Sequence, residues 1–406
     1  MISDKQELQK LNAYIESMRG EIVKAMSDMI RIKAISPASG GQGESQRATF
    51  LQDMLESWGL KVKRYDYKDE TGTVRSNLIS TFGSKTRTVW IVAHMDTVAE
   101  GERSLWTHDP FEVRIKGDKI SGRGTNDNGE ALIGAMFAMK AIAQRYHNVK
   151  YNYGLALVAD EELGSKFGIR KLIKEGIFKK DDMFIVPDSN TKNGDKIEIA
   201  EKSILWLKIT VHGKQVHAST PEKGVNAHIH SARLMVELNQ FLHKKYDSTD
   251  DVFEPKCSTF EMTKHEKNVD SINIVPGKDV FYMDSRILPK YKTKDIIADV
   301  KGITKQPCFK KVRIDLEPVQ QEDAPQPTDT QSEVFIALSD AIKQQLNIKP
   351  KSTGIGGGTC AAYFRREGWP AVVWGVGEDM AHQPNEFAYI KDIITCAKVF
   401  ATIFLQ

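Results

Sequence analysis

Four apolar runs constrain this chain more than any other feature: residues 89–93 (VWIVA), 154–159 (GLALVA), 183–186 (MFIV) and 371–374 (AVVW). Each has the length of a strand, and helical spacing fills residues 131–146 between the first two runs and 166–175 between the next two. Strands that alternate with helices need crossover connections, which build a largely parallel sheet covered on both faces. The fold class is therefore α/β. At 406 residues the chain exceeds what one core usually supports, so a smaller second domain is expected beside the sheet.

Ahead of the first run, Leu8, Leu11, Ile15, Met18, Ile22, Met26 and Met29 form one apolar stripe. That stripe predicts a long helix, or a helix pair bent at Gly20, with Ser3 to Gln6 as its capping box. A further helix spans residues 45–58 and ends against Gly59, a residue that readily takes the left-handed conformation. Strands follow at residues 62–67 and 77–82.

The pattern changes at Leu205. There Leu205, Leu207, Ile209 and Val211 alternate with Trp206, Lys208 and Thr210, the mark of a sheet with one open face. Helices at 226–242 and 294–300, with strands at 258–262, 272–275, 280–287 and 312–316, complete a small α+β unit. Helix, strand and helix resume after Pro325, so this unit is an insertion: residues 204–319 inside a domain made of 1–203 and 320–406.

Composition narrows the function. Apolar residues at 40% and charged residues at 27% are those of a soluble globular protein. The 57 basic and 54 acidic residues leave a net charge of only +3, with no basic stripe interleaved with aromatics, which argues against a nucleic-acid partner. No stretch approaches the roughly 20 apolar residues of a membrane span, and MISDKQELQK lacks the apolar segment of a signal peptide. A cytoplasmic protein without membrane partners is expected. Cys257, Cys308, Cys360 and Cys396 show no CxxC pairing, so neither a disulfide framework nor a thiolate metal site is indicated.

What stands after the apolar runs carries the chemistry. His94 closes the first, with Asp96 two residues on, where it can orient the imidazole or simply pair with it. Asp127 lies in the glycine-rich loop 122–127 before a helix, as a ligand or as an N-cap. Asp160, Glu161 and Glu162 follow the second run, Asp188 the third, and His382 the fourth. Three adjacent acids repel one another and call for a cation, unless the loop is fully solvated. Ligands of open α/β sheets bind at the carboxyl ends of the strands, so a parallel sheet would bring these positions to one rim.

In order along the chain, HMDT, GRGTND, DEELGS, PDSN and the final histidine resemble the M20 family of metallopeptidases and deacylases. That family includes acetylornithine deacetylase, succinyl-diaminopimelate desuccinylase, aminoacylases, dipeptidases and glutamate carboxypeptidase. IAEKSILWLK and GGGTCA further resemble an archaeal-type branch without an assigned substrate. The resemblance implies a zinc-dependent exopeptidase-like catalytic domain, with a mainly parallel sheet, interrupted by a smaller α+β lid and dimerisation domain. It implies two zinc ions, with cobalt or manganese as substitutes: Asp127 would bridge them, His94 and Asp188 would complete one site, and Glu162 and His382 the other. Glu161 would be the general base, and Asp96, beside His94, counts among the catalytic residues.

From the inserted unit, His217 in the run GKQVHAS resembles the family's lid histidine, which reaches the partner subunit's site in a homodimer. Asn273, Arg286 and the Gly357 loop resemble positions that contact substrate, with a guanidinium suited to a carboxylate. Arg286 also has Asp284 two residues away as an ion-pair partner. Cys360 is either a thiol lining the pocket or a small buried one. The implied activity is hydrolysis of the amide bond of an N-acyl amino acid, or of a small dipeptide or peptide. A metal-dependent binding protein that kept the fold is the rival reading.

Overall fold

The computed structural model describes residues 5–146 and 149–405, so the capping box at Ser3 lies outside the described residues. The chain divides into two compact units. The first comprises the chain up to Ile199 with Pro327–Thr353 and Thr359–Gln406, and the second comprises Ala200–Gln326 with Gly354–Gly358.

An eight-stranded sheet forms the first unit, in the order Val62–Lys68, Val74–Phe82, Asn152–Val158, Thr88–His94, Met183–Thr191, Ala371–Val376, Lys196–Glu201 and Lys351–Ile355. The four expected runs are its neighbouring central strands and pair in parallel, while antiparallel strands flank them on either side. Their uniform apolarity has a direct cause. Trp90, Val92, Ala156, Val158, Phe184, Val186 and Val373 pack into one buried cluster with Ile169, Leu172, Ala361 and Phe364 of two short helices. Side chains of alternate parity, such as Ile91, Leu155, Leu157, Ile185 and Trp374, are buried as well. On that side, helix Ile390–Ile403 packs against helices Ala131–Arg145 and Glu333–Leu346, and Trp374 meets Phe400 edge-on with 5.8 Å between ring centroids.

The N-terminal stripe forms a helix pair, Lys5–Ser17 and Arg19–Arg31, but the break falls at Met18 rather than Gly20. Met18 leaves helical geometry while its side chain stays buried, whereas Gly20 continues the second helix. Two strands, Lys196–Glu201 and the edge strand Lys351–Ile355, have no counterpart in the sequence pattern. The third central strand runs on through Pro187 to Thr191. Its pairing with Ala371–Val376 slips between Val373 and Gly375, so the proline, which has no N–H to give, sits in the irregular stretch.

The second unit is a four-stranded antiparallel sheet in the order Thr259–His265, Lys278–Ile287, Ser203–His212, Arg313–Glu322. Leu205, Leu207, Ile209 and Val211 enter a core with Leu234, Leu238 and Leu242 of helix Ala227–Lys245 and with Ile296 and Val300 of helix Thr293–Ile303. Trp206, between them in sequence, stays exposed. Asn226 caps its helix, accepting from Ile229 N at 3.1 Å. The glycine loop 354–358 packs with this unit, where Gly354 N donates to Val252 O at 2.7 Å.

Gly154 is the tightest point of the central sheet. It pairs with Trp90, and a Cβ there would stand 2.4 Å from the indole ring. The ring cannot yield easily, because its Nε1 donates to Asp182 at 2.9 Å and Phe178 packs edge-on against it. Gly154→Ala should therefore lower stability to urea by about 1–3 kcal/mol through overpacking. An unchanged midpoint and slope would show that the ring can move without cost.

Candidate metal centre

The carboxyl ends of the central strands bring the acids and histidines together. His94 ends its strand, Glu161 and Glu162 begin a helical turn three residues after the end of theirs, Asp188 lies within its strand, and His382 follows the fourth strand with φ 62°. Asp127 arrives on the irregular helical turn Thr125–Glu130, where its own φ of −106° and ψ of 100° leave the helical range. It is no N-cap.

Two triads result. His94, Asp127 and Asp188 form one, and Asp127, Glu162 and His382 the other, each with its candidate ligand atoms within 4.8 Å of one another. Asp127 belongs to both because its two oxygens face different imidazoles: Oδ1 is 2.9 Å from His94 Nε2, and Oδ2 is 3.2 Å from His382 Nε2. Asp188 Oδ1 stands 3.4 Å from His94 Nε2, and Glu162 Oε2 stands 3.0 Å from His382 Nε2.

The donor set fits a pair of cations. His94 Nδ1 lies 3.0 Å from the backbone carbonyl of Asp96, which can only accept, so Nδ1 donates there and Nε2 faces the carboxylates, where a proton or a metal ion must lie between them. Lone pairs that close repel unless a cation joins them. The charges agree with this. Burial opposes a charged His94, yet Asp127, Asp188 and Asp96 hold its pKa well above the ordinary value. His382 is pushed up to about 10 by hydrogen bonds to Asp127 and Glu162. The field thus favours positive charge at both nitrogens. Glu162 Oε1 is also buried without a hydrogen-bond partner. Imidazole with carboxylate is a donor set that zinc and its neighbours in the transition series accept.

Asp96 does something other than the spacing suggested. Its carboxylate stays 3.6 Å from His94 Nδ1 and instead accepts the backbone N–H of Glu161 at 3.1 Å and of Glu162 at 3.2 Å. It therefore sets the turn that carries both glutamates. Glu161 is a member of neither triad. Burial, followed by the charge of Asp188, raises its pKa well above the usual carboxylate range. Asp160 turns away from the centre, its Oδ1 accepting from the buried Arg75 at 3.0 Å and its Oδ2 from Phe167 N at 3.1 Å.

Several supporting residues escaped the sequence reading. The buried Glu386 accepts from Arg123 Nη1 at 2.7 Å and from the backbone nitrogens of Gly124, Asn126 and Asp127 at 2.9, 2.8 and 3.0 Å. Asn126 ties the loop to the fourth strand's exit, donating to Glu378 O and accepting from Met380 N, each at 3.0 Å. Arg47 holds the first strand's exit by donating to Met95 O at 2.8 Å. Only Arg47 left a signal in the sequence: a charge on the apolar stripe of Ala48, Leu51 and Leu55. Cys360 is buried, and burial pushes its thiol well above the ordinary range, which favours the packed, protonated form.

The sequence profile of peptidase family M20/M25/M40 matches residues 90–406. The chain belongs to this family. This M20 chain is 39% identical over 405 residues to an uncharacterized metallohydrolase of Methanocaldococcus jannaschii, covering 94% of this chain and 98% of the relative. It is 25% identical over 391 residues to succinyl-diaminopimelate desuccinylase of Rickettsia rickettsii, covering 95% and 99%. The crystal structure of the M20 family metallo-carboxypeptidase Sso-CP2 from Sulfolobus solfataricus is similar in fold, with TM-score 0.73 at 20% identity over 94% and 98% of the two chains. The M20 chain is thus a metal-binding hydrolase of amide bonds.

The remaining expected residues of the M20 chain lie in the second unit. His217 is exposed on a two-stranded ribbon, Val216–His217 with Ile274–Val275, and Asn273 adjoins it by accepting Ala218 N at 2.8 Å through its backbone oxygen. Ser219 N donates to His217 Nδ1 at 3.1 Å, which leaves the ring proton on Nε2. Arg286 pairs with both oxygens of Asp284 at 2.8 and 3.1 Å and donates to Gly356 O at 2.9 Å, beside Gly357.

Removing the Glu386 carboxylate by Glu386→Ala would leave three backbone N–H groups and a buried guanidinium without their acceptor. Metal affinity, read by competition with a chromophoric chelator, should fall about 10–100-fold, as for other groups that orient ligands. Unchanged affinity would show that the loop presents Asp127 unaided.

Proposed function

We propose that this M20 chain hydrolyses the amide bond of an N-acyl amino acid, acting as a deacylase on a substrate with a free carboxylate. The observation that carries the proposal is Glu161: a buried carboxylate beside two ligand triads, belonging to neither, with its turn held by Asp96. A protein that only bound metal would have no use for it.

His94, Asp127 and Asp188 would hold one zinc ion, and Asp127, Glu162 and His382 a second. Ions bound there would polarise the scissile carbonyl and make the attacking water more acidic. Glu161 takes the proton of that water and returns it to the leaving nitrogen. Its raised pKa suits both halves of the transfer, because a carboxylate that holds a proton more tightly than usual can take it from water and deliver it to the leaving nitrogen. Asp96 fixes the reach of Glu161 through two backbone hydrogen bonds, while His94 is oriented by the Asp96 carbonyl.

For recognition, three of the five N–H groups of Arg286 are committed to Asp284 and Gly356, which leaves two for a substrate carboxylate. Asn273 and the backbone at Gly357 complete the polar contacts in this reading. His217 presents Nε2–H, a donor suited to the oxyanion of the tetrahedral intermediate, and acts in the partner's site of a homodimer. Four cysteines without a disulfide accord with a cytoplasmic enzyme.

Glu161→Ala should keep its metal and lose about 10²–10⁴ in turnover. Wild-type turnover from that variant would remove Glu161 from the mechanism. A panel of N-acetyl and N-succinyl amino acids and dipeptides, each with a free and an amidated carboxylate, tests the substrate class. The free N-acyl acids should be cleaved fastest. Dipeptides cleaved faster would replace the deacylase by a dipeptidase, and equal cleavage of amidated substrates would overturn the role of Arg286.

The trans role of His217 is tested by mixing Glu161→Ala with His217→Ala. Each should be nearly inactive alone. After subunit exchange on a two-fold dimer, about a quarter of the sites should combine an intact Glu161 with an intact partner His217. No recovery after verified exchange would show that His217 does not act across the dimer.

A further inference from the structure

A second cluster of metal-ligating side chains lies wholly within the inserted unit. Asp279 is buried on strand Lys278–Ile287 and accepts at both oxygens: Oδ1 from His228 Nδ1 at 3.1 Å and Asn268 Nδ2 at 2.7 Å, and Oδ2 from His265 Nε2 at 2.8 Å. His228 stands in the first turn of helix Ala227–Lys245, and His265 ends strand Thr259–His265. The ligand atoms of the three residues lie within 4.8 Å of one another. Both imidazoles are exposed while the carboxylate is not, so the cluster opens to solvent from a buried anionic base.

We propose that His228, His265 and Asp279 form a site for a zinc-class divalent cation, additional to the two catalytic triads. Three arguments carry it. Two imidazole nitrogens and one carboxylate oxygen are the three-ligand set that zinc takes with water as the fourth ligand, and a set that magnesium and calcium, which want oxygen donors, do not favour. The rings stack at 27° with centroids 5.4 Å apart, so each turns a nitrogen to the same carboxylate without the ring swinging away. Asp279 is buried and held by Asn268 Nδ2 at 2.7 Å from its Oδ1, so the carboxylate is fixed in place ahead of any cation.

The site is a clip rather than a catalyst. It joins the start of the long helix, the end of one strand and the start of the next, three elements that also share the unit's apolar core. Metal coordination by folded-state ligands adds to stability in proportion to its binding free energy. For a cation to bind, each neutral ring needs only to hold its single proton on the nitrogen facing away from Asp279, a change of tautomer that neither adds nor releases a proton.

The test uses the full-length protein with its catalytic centre loaded. Equilibrium dialysis against buffered Zn²⁺, followed by elemental analysis, should find one more zinc per chain in the parent than in His228→Gln or His265→Gln. Zinc should also raise the unfolding temperature of the parent more than that of either variant. Both substitutions fall on exposed rings, so they spare the buried Asp279, and matching circular dichroism spectra identify folded variants. On the unaltered chain, zinc should protect His228 and His265 from carbethoxylation by diethyl pyrocarbonate, mapped by peptide mass spectrometry. Equal zinc content in parent and variants, or unchanged labelling of both histidines, overturns the site and leaves a hydrogen-bonded lock. The catalytic reading stands or falls separately, since neither histidine belongs to its triads.

Discussion

One carboxylate facing two imidazoles organises the catalytic unit. Asp127 can lie between His94 and His382 only because the loop that carries it is pinned from below by Glu386, whose two oxygens take three backbone N–H groups and the Arg123 guanidinium. A buried carboxylate with four donors is costly to disturb, because losing any of them leaves polar groups unpaired away from water. The geometry at the metal centre is therefore inherited from a hydrogen-bond network one layer beneath it.

The same economy governs the glutamate pair. Glu161 and Glu162 are adjacent in sequence, yet only Glu162 joins a ligand triad, and Asp96 holds both backbone nitrogens of the turn that carries them. Asp160, next to them, is drawn off by Arg75, which also pairs with the buried Glu44 at 2.9 Å. Burial pushes Glu44 up to about 7 against the pull of Arg75. Three neighbouring acids are thus kept apart by one guanidinium on one side and the histidines of the centre on the other.

Both units place charge at the end of strands whose apolar residues are already satisfied. In the catalytic unit the parallel strands end together, so their terminal residues share one rim. In the inserted unit the strands are antiparallel, and His265 meets Asp279 across the register of neighbouring strands. The helix then contributes His228 from its first turn.

The parallel core, the α+β insertion and the strand-end acids and histidines were legible in the sequence, because periodicity and strand-end chemistry are local properties, and the structure gathers five of those residues into two triads. The apolar runs had to be buried on both faces, and acids placed immediately after them had to meet a cation or water. Only the tertiary structure decided that Asp127 divides its oxygens between two histidines, that Asp96 holds the glutamate turn instead of the imidazole, and that Arg286 is already paired with Asp284. It also decided the roles of Glu386 and Arg75 and the break of the first helix at Met18. These depend on contacts between residues up to 263 positions apart, such as Arg123 with Glu386. No local pattern encodes such a contact, because what selects the partner of a buried charge is which other groups the folded chain leaves without one.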